Sequence, residues 1–472
     1  MRISELKNIN IYKLFIVLII FAGIVLRISA FMHLRPFWLD ECYLALNITD
    51  NDNYFSELIY NQAAPPFFMY LSKFFYNIIP FKAEFSLRLL PLLSGIGALF
   101  VFQILINKIF TNNLSKIMAL SLFAFNFKLI YYSSEFKQYS SDVLIFLSVI
   151  AVFLVLKEMN TVQKCIYGLL MGAAIWFSNA AVVAIPCIAL IYLIEKIKTK
   201  SFKINDILLF LPSLLSVIAY CIIFKSTLES DYLHNFWEKF FIAHNFSNIG
   251  YIIKNNARFF FTSHTLLLRY LILFGIFIFT FKKRFIIILP IFLTLLLSYL
   301  HICPTQGRII LYILPVLIIC ACGLLEYKSK FIQYPALIIM SFLIFCQANY
   351  AKEQFLNNEL FYEDVLSPLQ TVSQNMKGGD YLLIDSYNNG SFKYYNKFFK
   401  FDEAHVKVIP HEVSNFVKAI KTLPKGNYFF VFSHSAHKGQ KVKTMYDLSN
   451  QLQDCKIQTY RNNNLLMTFT VK

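Results

Sequence analysis

The sequence predicts an all-α polytopic membrane protein of about eleven transmembrane helices, followed by a small extracytoplasmic α/β domain at its C-terminus. Three observations predict this fold class. The chain is 57% hydrophobic and only 15% charged, whereas soluble globular chains have about a quarter of their residues charged. The apolar residues gather in long runs, and most Lys and Arg residues lie in the short loops between those runs.

The apolar runs define the predicted spans. A bilayer core of about 30 Å requires about 20 apolar residues per helix. The first run follows basic residues and precedes no signal-peptidase site, so we expect it to be retained as a span. The predicted spans are 12–31, 86–106, 114–130, 140–156, 165–177, 180–194, 207–224, 266–281, 285–300, 309–325 and 331–348.

The loop charges predict the orientation. Every short loop that would be cytoplasmic is basic, whereas the opposite connections around Asn179 and His301 have almost no Lys, as the positive-inside rule requires. With the N-terminus in the cytoplasm, an odd number of spans leaves the long segments 32–85, 225–265 and 349–472 outside. The net charge of +17 therefore reflects topology, and we expect the lipid bilayer as a partner and no nucleic acid.

The chain changes character after residue 348. Gly378-Gly379-Asp380 marks a turn, and short β-rich runs follow at 381–385, 428–433 and 465–471, with a helical pattern at 442–452. We therefore predict a transmembrane module over 1–348 and a soluble extracytoplasmic domain over 349–472. The nine Cys residues include no C-x-x-C pair, so no metal framework is predicted from them.

Two adjacent carboxylates, Asp40 and Glu41, directly follow the first span. Because neighbouring carboxylates repel each other, one of them is readily held protonated or bound to a cation. A carboxylate placed there could act as a general base toward an acceptor hydroxyl. The alternative is a solvated acidic end of a loop.

Further ionisable residues lie at the outer ends of later spans. Arg88 at the second span could bind a lipid phosphate through its guanidinium fork, or it could extend to the membrane interface. Glu135, Lys137 and Asp142 interrupt the third and fourth spans. Ionisable groups at membrane depth usually face a cavity; the alternative is that both spans end earlier.

These motifs resemble the GT-C superfamily of membrane glycosyltransferases, in particular the bacterial relatives of protein O-mannosyltransferases and the lipid A aminoarabinose transferase. A late segment that begins at Gln306-Gly307-Arg308 is similar to an arginine-led helix of that family. The motifs of the first 140 residues are, in order, Trp38-Leu39-Asp40-Glu41, Pro65-Pro66, Arg88-Leu89-Leu90-Pro91 and Glu135-Phe136-Lys137-Gln138-Tyr139.

The resemblance implies an inverting transfer of a sugar from a polyprenyl-phosphate-linked donor to a lipid, glycan or protein acceptor, at the outer face of a bacterial inner membrane. It implies that Asp40 is the base, with Glu41 in support. Glu135 would be a second acidic residue, which with Asp40 could hold a divalent metal cation; the use of a metal is left open. The residues implied to meet the donor phosphate are Arg308, Arg88 and Lys137.

The sequence departs from the family pattern at two positions. Ala64 stands where relatives often have His before the Pro-Pro pair, and Lys137 stands where many have arginine. Two other classes of protein stay open, a flippase or transporter of a lipid-linked sugar and a membrane scaffold. Transporters commonly have two matching halves, and we find no internal repeat in this sequence. The long outer segments also favour the enzyme.

Overall fold

The computed structural model describes residues 11–156, 159–261, 275, 285–356, 363–410, 419, 422–432, 446, 449–450, 452–460 and 464–471. Contacts divide the chain into two compact units. The helical unit comprises Met1–Met32 and Asn53–Phe355. The sheet unit comprises His33–Asp52 and Leu356–Lys472. The segment that carries Asp40 and Glu41 thus groups with the C-terminal part of the chain.

Helices form most of the structure. In chain order they are α1 (Ile11–Met32), α2 (Leu39–Asp50), α3 (Pro66–Ile78), α4 (Ala83–Ser86), α5 (Leu89–Ile109), α6 (Asn113–Ala124), α7 (Phe127–Tyr132), α8 (Tyr139–Val155), α9 (Thr161–Phe177), α10 (Ala181–Lys198), α11 (Ile207–Ile223), α12 (Lys225–Leu228), α13 (Asp231–Trp237), α14 (Ile249–Phe261), α15 (Phe285–Tyr299), α16 (Leu314–Cys322), α17 (Lys330–Leu356), α18 (Leu366–Asn375) and α19 (Asn389–Phe399).

Helix occurs at each predicted run that the structure describes; the run 266–281 lies outside the described residues. Within the described part of the chain, four segments are long and apolar enough to cross a membrane: Ile11–Met32, Ala83–Ile109, Ile204–Ile223 and Lys330–Gln354. Shorter apolar helices accompany them. Large apolar side chains such as Ile11, Val17 and Phe21 of α1 are exposed, as expected for a surface that faces lipid. The number of spans stays a prediction.

One predicted span differs from the structure. The run 114–130 forms two helices, α6 and α7, separated at Phe125 and Asn126. The side-chain oxygen of Asn126 accepts hydrogen bonds from the backbone N–H groups of Lys128 (2.9 Å) and Leu129 (3.2 Å). Because this is how an N-cap begins a helix, Asn126 starts a new helix inside the apolar run.

Helices α9 and α11 pack through glycines. Gly168 and Gly172, one turn apart on α9, face the backbone carbonyl groups of Leu208 and Pro212 on α11. Two glycines at this spacing let helix backbones approach closely in membranes. Elsewhere in the helical unit, Phe102 of α5 stacks on Phe123 of α6 with ring centres 4.3 Å apart.

The sheet unit contains five strands in the order β2-β1-β3-β5-β4. The central strand β3 pairs in parallel with β1 and antiparallel with β5, so that Phe430 lies beside Leu383 and Met467. The three predicted strands are confirmed, whereas β2 and β4 were not predicted. The predicted helix 442–452 lies almost wholly outside the described residues. The strands are β1 (Tyr381–Asp385), β2 (Val406–Ile409), β3 (Gly426–Phe432), β4 (Gln453–Thr459) and β5 (Leu465–Val471).

We expect Gly168→Ala to destabilise the helical unit by about 1–3 kcal/mol, the usual cost of overpacking. The new Cβ would overlap the Leu208 carbonyl oxygen, which is backbone and cannot rotate away. The melting temperature of the purified protein in detergent measures the effect. Gly250→Ala in α14 is the matched control, because nothing lies within 4 Å of its Cβ position and alanine favours helix. Equal melting temperatures for the two variants would contradict the close approach of α9 and α11.

Candidate active site

The break between α6 and α7 is stabilised by polar side chains from other helices. Arg27 of α1 is 1% exposed, and its guanidinium donates to the carbonyl oxygen of Ala124, the last residue of α6 (3.1 Å). The Gln347 side chain of α17 accepts from the N–H of Phe127 (3.1 Å), and Asn126 donates to the Phe260 carbonyl oxygen (3.0 Å). Backbone N–H and carbonyl groups that would bond to each other in a continuous helix therefore bond to side chains at this break. Such bonds are needed because no water is available to these groups inside a membrane.

The turn after α7 brings two of the sequence motifs together. The buried Lys137 donates through Nζ to the Gln62 side-chain oxygen (2.8 Å), and Gln138 donates to the Ala63 carbonyl oxygen (3.3 Å). Phe136 stacks on Phe68, with ring centres 6.0 Å apart. The segment before Pro65-Pro66 is therefore bonded to the Glu135 turn, as a shared site requires.

The charges of Glu135 and Arg308 act on the same tyrosine. Tyr132 ends α7 and is buried. Burial raises the pKa of the Tyr132 hydroxyl well above its ordinary value, the negative charge of Glu135 raises this pKa further, and the positive charge of Arg308 opposes the rise. Two residues about 170 positions apart in the sequence thus both influence the charge state of one buried hydroxyl group.

The turn that carries Arg308 is fixed by hydrogen bonds. Asn256 of α14 donates to the Thr305 carbonyl oxygen (2.6 Å), and the Thr305 hydroxyl donates to the carbonyl oxygen of Phe240 (2.7 Å). The Arg308 guanidinium carbon lies 5.5 Å from the Trp237 ring centre, a cation–π distance. These contacts place Arg308 before any substrate binds.

Gly307 shapes the same region. A Cβ at this position would overlap the ring of Phe259, and Phe259 also lies 6.0 Å from the Tyr132 ring. The small residue therefore lets α14 and the Arg308 turn approach each other beside Tyr132. Neither Trp237 nor Phe259 belongs to a motif that the sequence analysis singled out.

Arg88 and Asp142 have different surroundings. Arg88 is 1% exposed, which contradicts the alternative of an arginine extended to the interface. Asp142 accepts from the Ser178 hydroxyl (2.6 Å), and the Ser178 hydroxyl oxygen in turn accepts from the N–H of Ala180 (3.2 Å). Its carboxylate therefore organises the connection between α9 and α10.

Two ionisable residues that the sequence analysis passed over are part of this region. Lys128 is the second residue of α7, and its ammonium lies 4.5 Å from the Phe259 ring centre. Arg27 lies beneath the α6–α7 break. Both stand inside predicted spans, at 114–130 and 12–31, where an ionisable residue is by itself a signal of function.

Asp40 and Glu41 lie in the sheet unit, in the first turn of α2. Glu41 is fully buried, whereas Asp40 is half-buried. The first N–H of the helix, that of Leu39, donates to the Glu363 carboxylate (3.1 Å). A carboxylate is favourable at the positive end of a helix, so Glu363 stabilises the start of α2.

The helix α2 is held along its length by α19. The N–H of Phe37, just before α2, donates to the Tyr395 hydroxyl (2.7 Å). Tyr43 lies against Gly390, where a Cβ would overlap its ring. Near the end of α2, Lys397 donates to the Thr49 hydroxyl (2.7 Å); it also pairs with the Asp50 carboxylate. Asp40 is therefore carried by a helix with a fixed position in its unit.

The predicted residues thus fall into two groups. Glu135, Lys137 and Arg308 occur with Tyr132 in the helical unit, and Asp40 and Glu41 occur in the sheet unit. In the ranges that the structure describes, no group of three or more His, Cys, Asp or Glu side chains could hold a metal ion. The proposed metal pair, Asp40 and Glu135, is divided between the two units.

The helical unit with its apolar helices and the small mixed sheet unit have the fold of a solved structure. The structure of ArnT from Cupriavidus metallidurans bound to undecaprenyl phosphate matches this protein with a TM-score of 0.55 at 12% sequence identity, over 96% of this chain and 97% of that chain. The resemblance inferred from the motifs is confirmed for the fold.

Two further solved structures match. The apo state of the same ArnT matches with a TM-score of 0.48 at 12% identity, over 93% of this chain and 96% of that chain. The Archaeoglobus fulgidus oligosaccharyltransferase in complex with Zn and sulfate matches with a TM-score of 0.49 at 12% identity, over 80% of this chain and 61% of that chain. No family model and no curated protein matches the sequence.

We expect Asn126→Ala to lower stability by about 1–2 kcal/mol, the usual effect of removing an N-cap, and to reduce activity further because α7 carries Tyr132. Asn160→Ala is the matched control, since Asn160 caps α9 in the same way and none of the site residues lies on α9. Melting temperature and sugar transfer are measured for both. The same activity in the two variants would contradict a role for the α6–α7 break in the site.

We expect Gly390→Ala to displace α2 and lower activity at least tenfold, since misplacement of a catalytic group by about 1 Å can reduce rates a hundredfold. Removal of the Tyr43 ring in Gly390→Ala/Tyr43→Ala should restore part of the activity. Gly378→Ala, where nothing lies within 4 Å of the Cβ position, is the control. Full activity of Gly390→Ala would show that the position of α2 is unimportant.

Proposed function

We propose that this protein is an integral-membrane glycosyltransferase that transfers a sugar from a polyprenyl-phosphate donor to an acceptor at the extracytoplasmic face of a bacterial inner membrane. The carrying observation is that the charges of Glu135 and Arg308 both act on the buried Tyr132, and that Gly307, next to Arg308, lies against the Phe259 ring beside Tyr132. The GT-C fold supports the reaction class, and the undecaprenyl phosphate in the similar ArnT structure supports the donor class.

At the donor end, the leaving group is a phosphate and needs charge stabilisation more than protonation. Arg308 would hold the phosphate through two of its N–H groups, as guanidinium groups do, with Lys137 and Arg88 as further cations. Trp237 and the hydrogen-bonded turn of Arg308 fix the guanidinium in advance. Preorganised charge in a site shielded from water is usually the largest contribution to catalysis.

At the acceptor end, Asp40 would take the proton from the attacking hydroxyl or amine. The acceptor atom forms a bond to the anomeric carbon while the bond from that carbon to the phosphate oxygen breaks, and polyprenyl phosphate leaves with the electron pair. Attack from the face opposite the phosphate inverts the configuration. Glu41 is fully buried and would support Asp40, which is the carboxylate with an exposed part.

The predicted orientation in the membrane indicates the side on which transfer would occur. The N-terminus would lie in the cytoplasm and the sheet unit outside, because the basic loops are cytoplasmic under the positive-inside rule. The proposed acceptor, a lipid, glycan or protein, would therefore be an extracytoplasmic molecule. Contacts between the pocket and the hydroxyl groups of the sugar would determine whether a hexose or a pentose is transferred.

We expect Asp40→Asn and Arg308→Ala each to reduce sugar transfer at least a hundredfold, the usual effect of removing a general base or a charge-stabilising donor. The measurement is transfer of radiolabel from polyprenyl-phosphate sugars to acceptors in membranes that contain the full-length protein. Glu57→Gln and Arg258→Ala are matched controls, because both side chains are exposed and outside the proposed site. These controls should retain normal transfer.

Two results would contradict the proposal. Near-normal transfer by Asp40→Asn would remove the base from the mechanism. Movement of the labelled lipid across the membrane, without consumption of the donor, would instead assign the protein to the flippase class.

A further inference from the structure

Lys128 is a charged residue that belongs to none of the motifs described above. Its ammonium lies 4.5 Å from the centre of the Phe259 ring and 5.4 Å from that of Phe127. In the part of the chain that the structure describes, this ammonium makes no hydrogen bond and no ion pair. Aromatic rings attract a cation but accept none of the three ordinary hydrogen bonds that an ammonium donates. Within the described residues, the donors of Lys128 are therefore available to a ligand.

Lys128 lies among the residues of the candidate active site. Lys128 and Tyr132 are four residues apart on α7 and hence on one face of the helix, and both contact Phe259. The negative charge of Glu135 acts on both residues. The positive charge of Arg308 acts on Tyr132. Lys128 and Arg308 therefore place two cations around the same aromatic cluster.

The proposed reaction changes the charge of the phosphate. The donor is a phosphodiester with one negative charge, and the polyprenyl phosphate that leaves is a monoester with a charge of about −1.5 to −2 at neutral pH. A cation that strengthens its interaction as this extra charge develops lowers the barrier, because only interactions stronger in the transition state accelerate the chemical step. A lysine ammonium is a common ligand of phosphate groups.

We propose that Lys128 is a second phosphate-binding cation of the site and that it responds to the charge that develops on the leaving polyprenyl phosphate. The inference rests on the proposed function and names a residue for one of its steps. Arg308 holds the phosphate in both charge states, and Lys128 favours the monoester. The aromatic rings of Phe127 and Phe259 hold the ammonium in place before the charge appears.

The test compares two lipids that differ in this charge. Binding of farnesyl phosphate and of its methyl phosphodiester to the purified full-length protein is measured in detergent, with farnesol as the uncharged reference. We expect Lys128→Met to weaken farnesyl phosphate binding about tenfold and phosphodiester binding much less. Lys128→Arg should keep the preference for the monoester. Lys196→Met is the matched control, since Lys196 lies 5.4 Å from the Tyr192 ring and outside the site.

Each outcome bears on the proposal. Lys128→Gln gives a second measurement if Lys128→Met does not fold, as judged from its melting temperature. Unchanged monoester preference in Lys128→Met, or in Lys128→Gln where Lys128→Met does not fold, in a protein that transfers sugar, would overturn the role of Lys128 and leave the proposed function intact. A native protein that binds farnesyl phosphate no better than farnesol would overturn both the role of Lys128 and the proposed donor class.

Discussion

The break at Phe125 and Asn126 is the constraint on which the candidate site depends. Interrupting a helix in an apolar environment exposes backbone groups, and each unsatisfied group costs several kcal/mol. Asn126 satisfies the start of α7 itself, Arg27 satisfies the end of α6, and Gln347 satisfies the first N–H of α7. Three side chains, two of them from the other helices α1 and α17, thus fix the direction in which α7 presents Tyr132 and the Glu135 turn.

The helical unit also contains several charged side chains that are buried. Arg27, Arg88 and Lys137 are nearly excluded from solvent, and such groups are retained in membrane proteins mainly where they have work with polar partners or substrates. Lys137 is bonded to an amide, whereas Arg27 is bonded to backbone carbonyl oxygens. These buried cations suit a site for an anionic lipid, the donor class proposed above.

The sequence predicts the helices and three of the five strands, because long apolar runs and β-rich runs are local patterns. It also singles out Glu135 and Lys137, since ionisable residues at span ends stand out against their surroundings, whereas Arg308 is implied by the family resemblance. It does not predict the α6–α7 break, because a single Asn inside an apolar run is a weak signal until its partners are known. Nor does it predict that Phe259, Gly307 and Trp237 form one cluster, because contacts between distant segments have no periodicity.

The placement of α2 affects how such proteins could diversify. The sheet unit is discontinuous in sequence, consisting of residues 33–52 and the chain from 356 onward, and Gly390 and Tyr43 fit one another across that discontinuity. A single genetic crossover near residue 356 would join a foreign C-terminal portion to an α2 that it does not fit. Exchange of the whole unit between related genes requires three crossovers, so the two segments are expected to be inherited together.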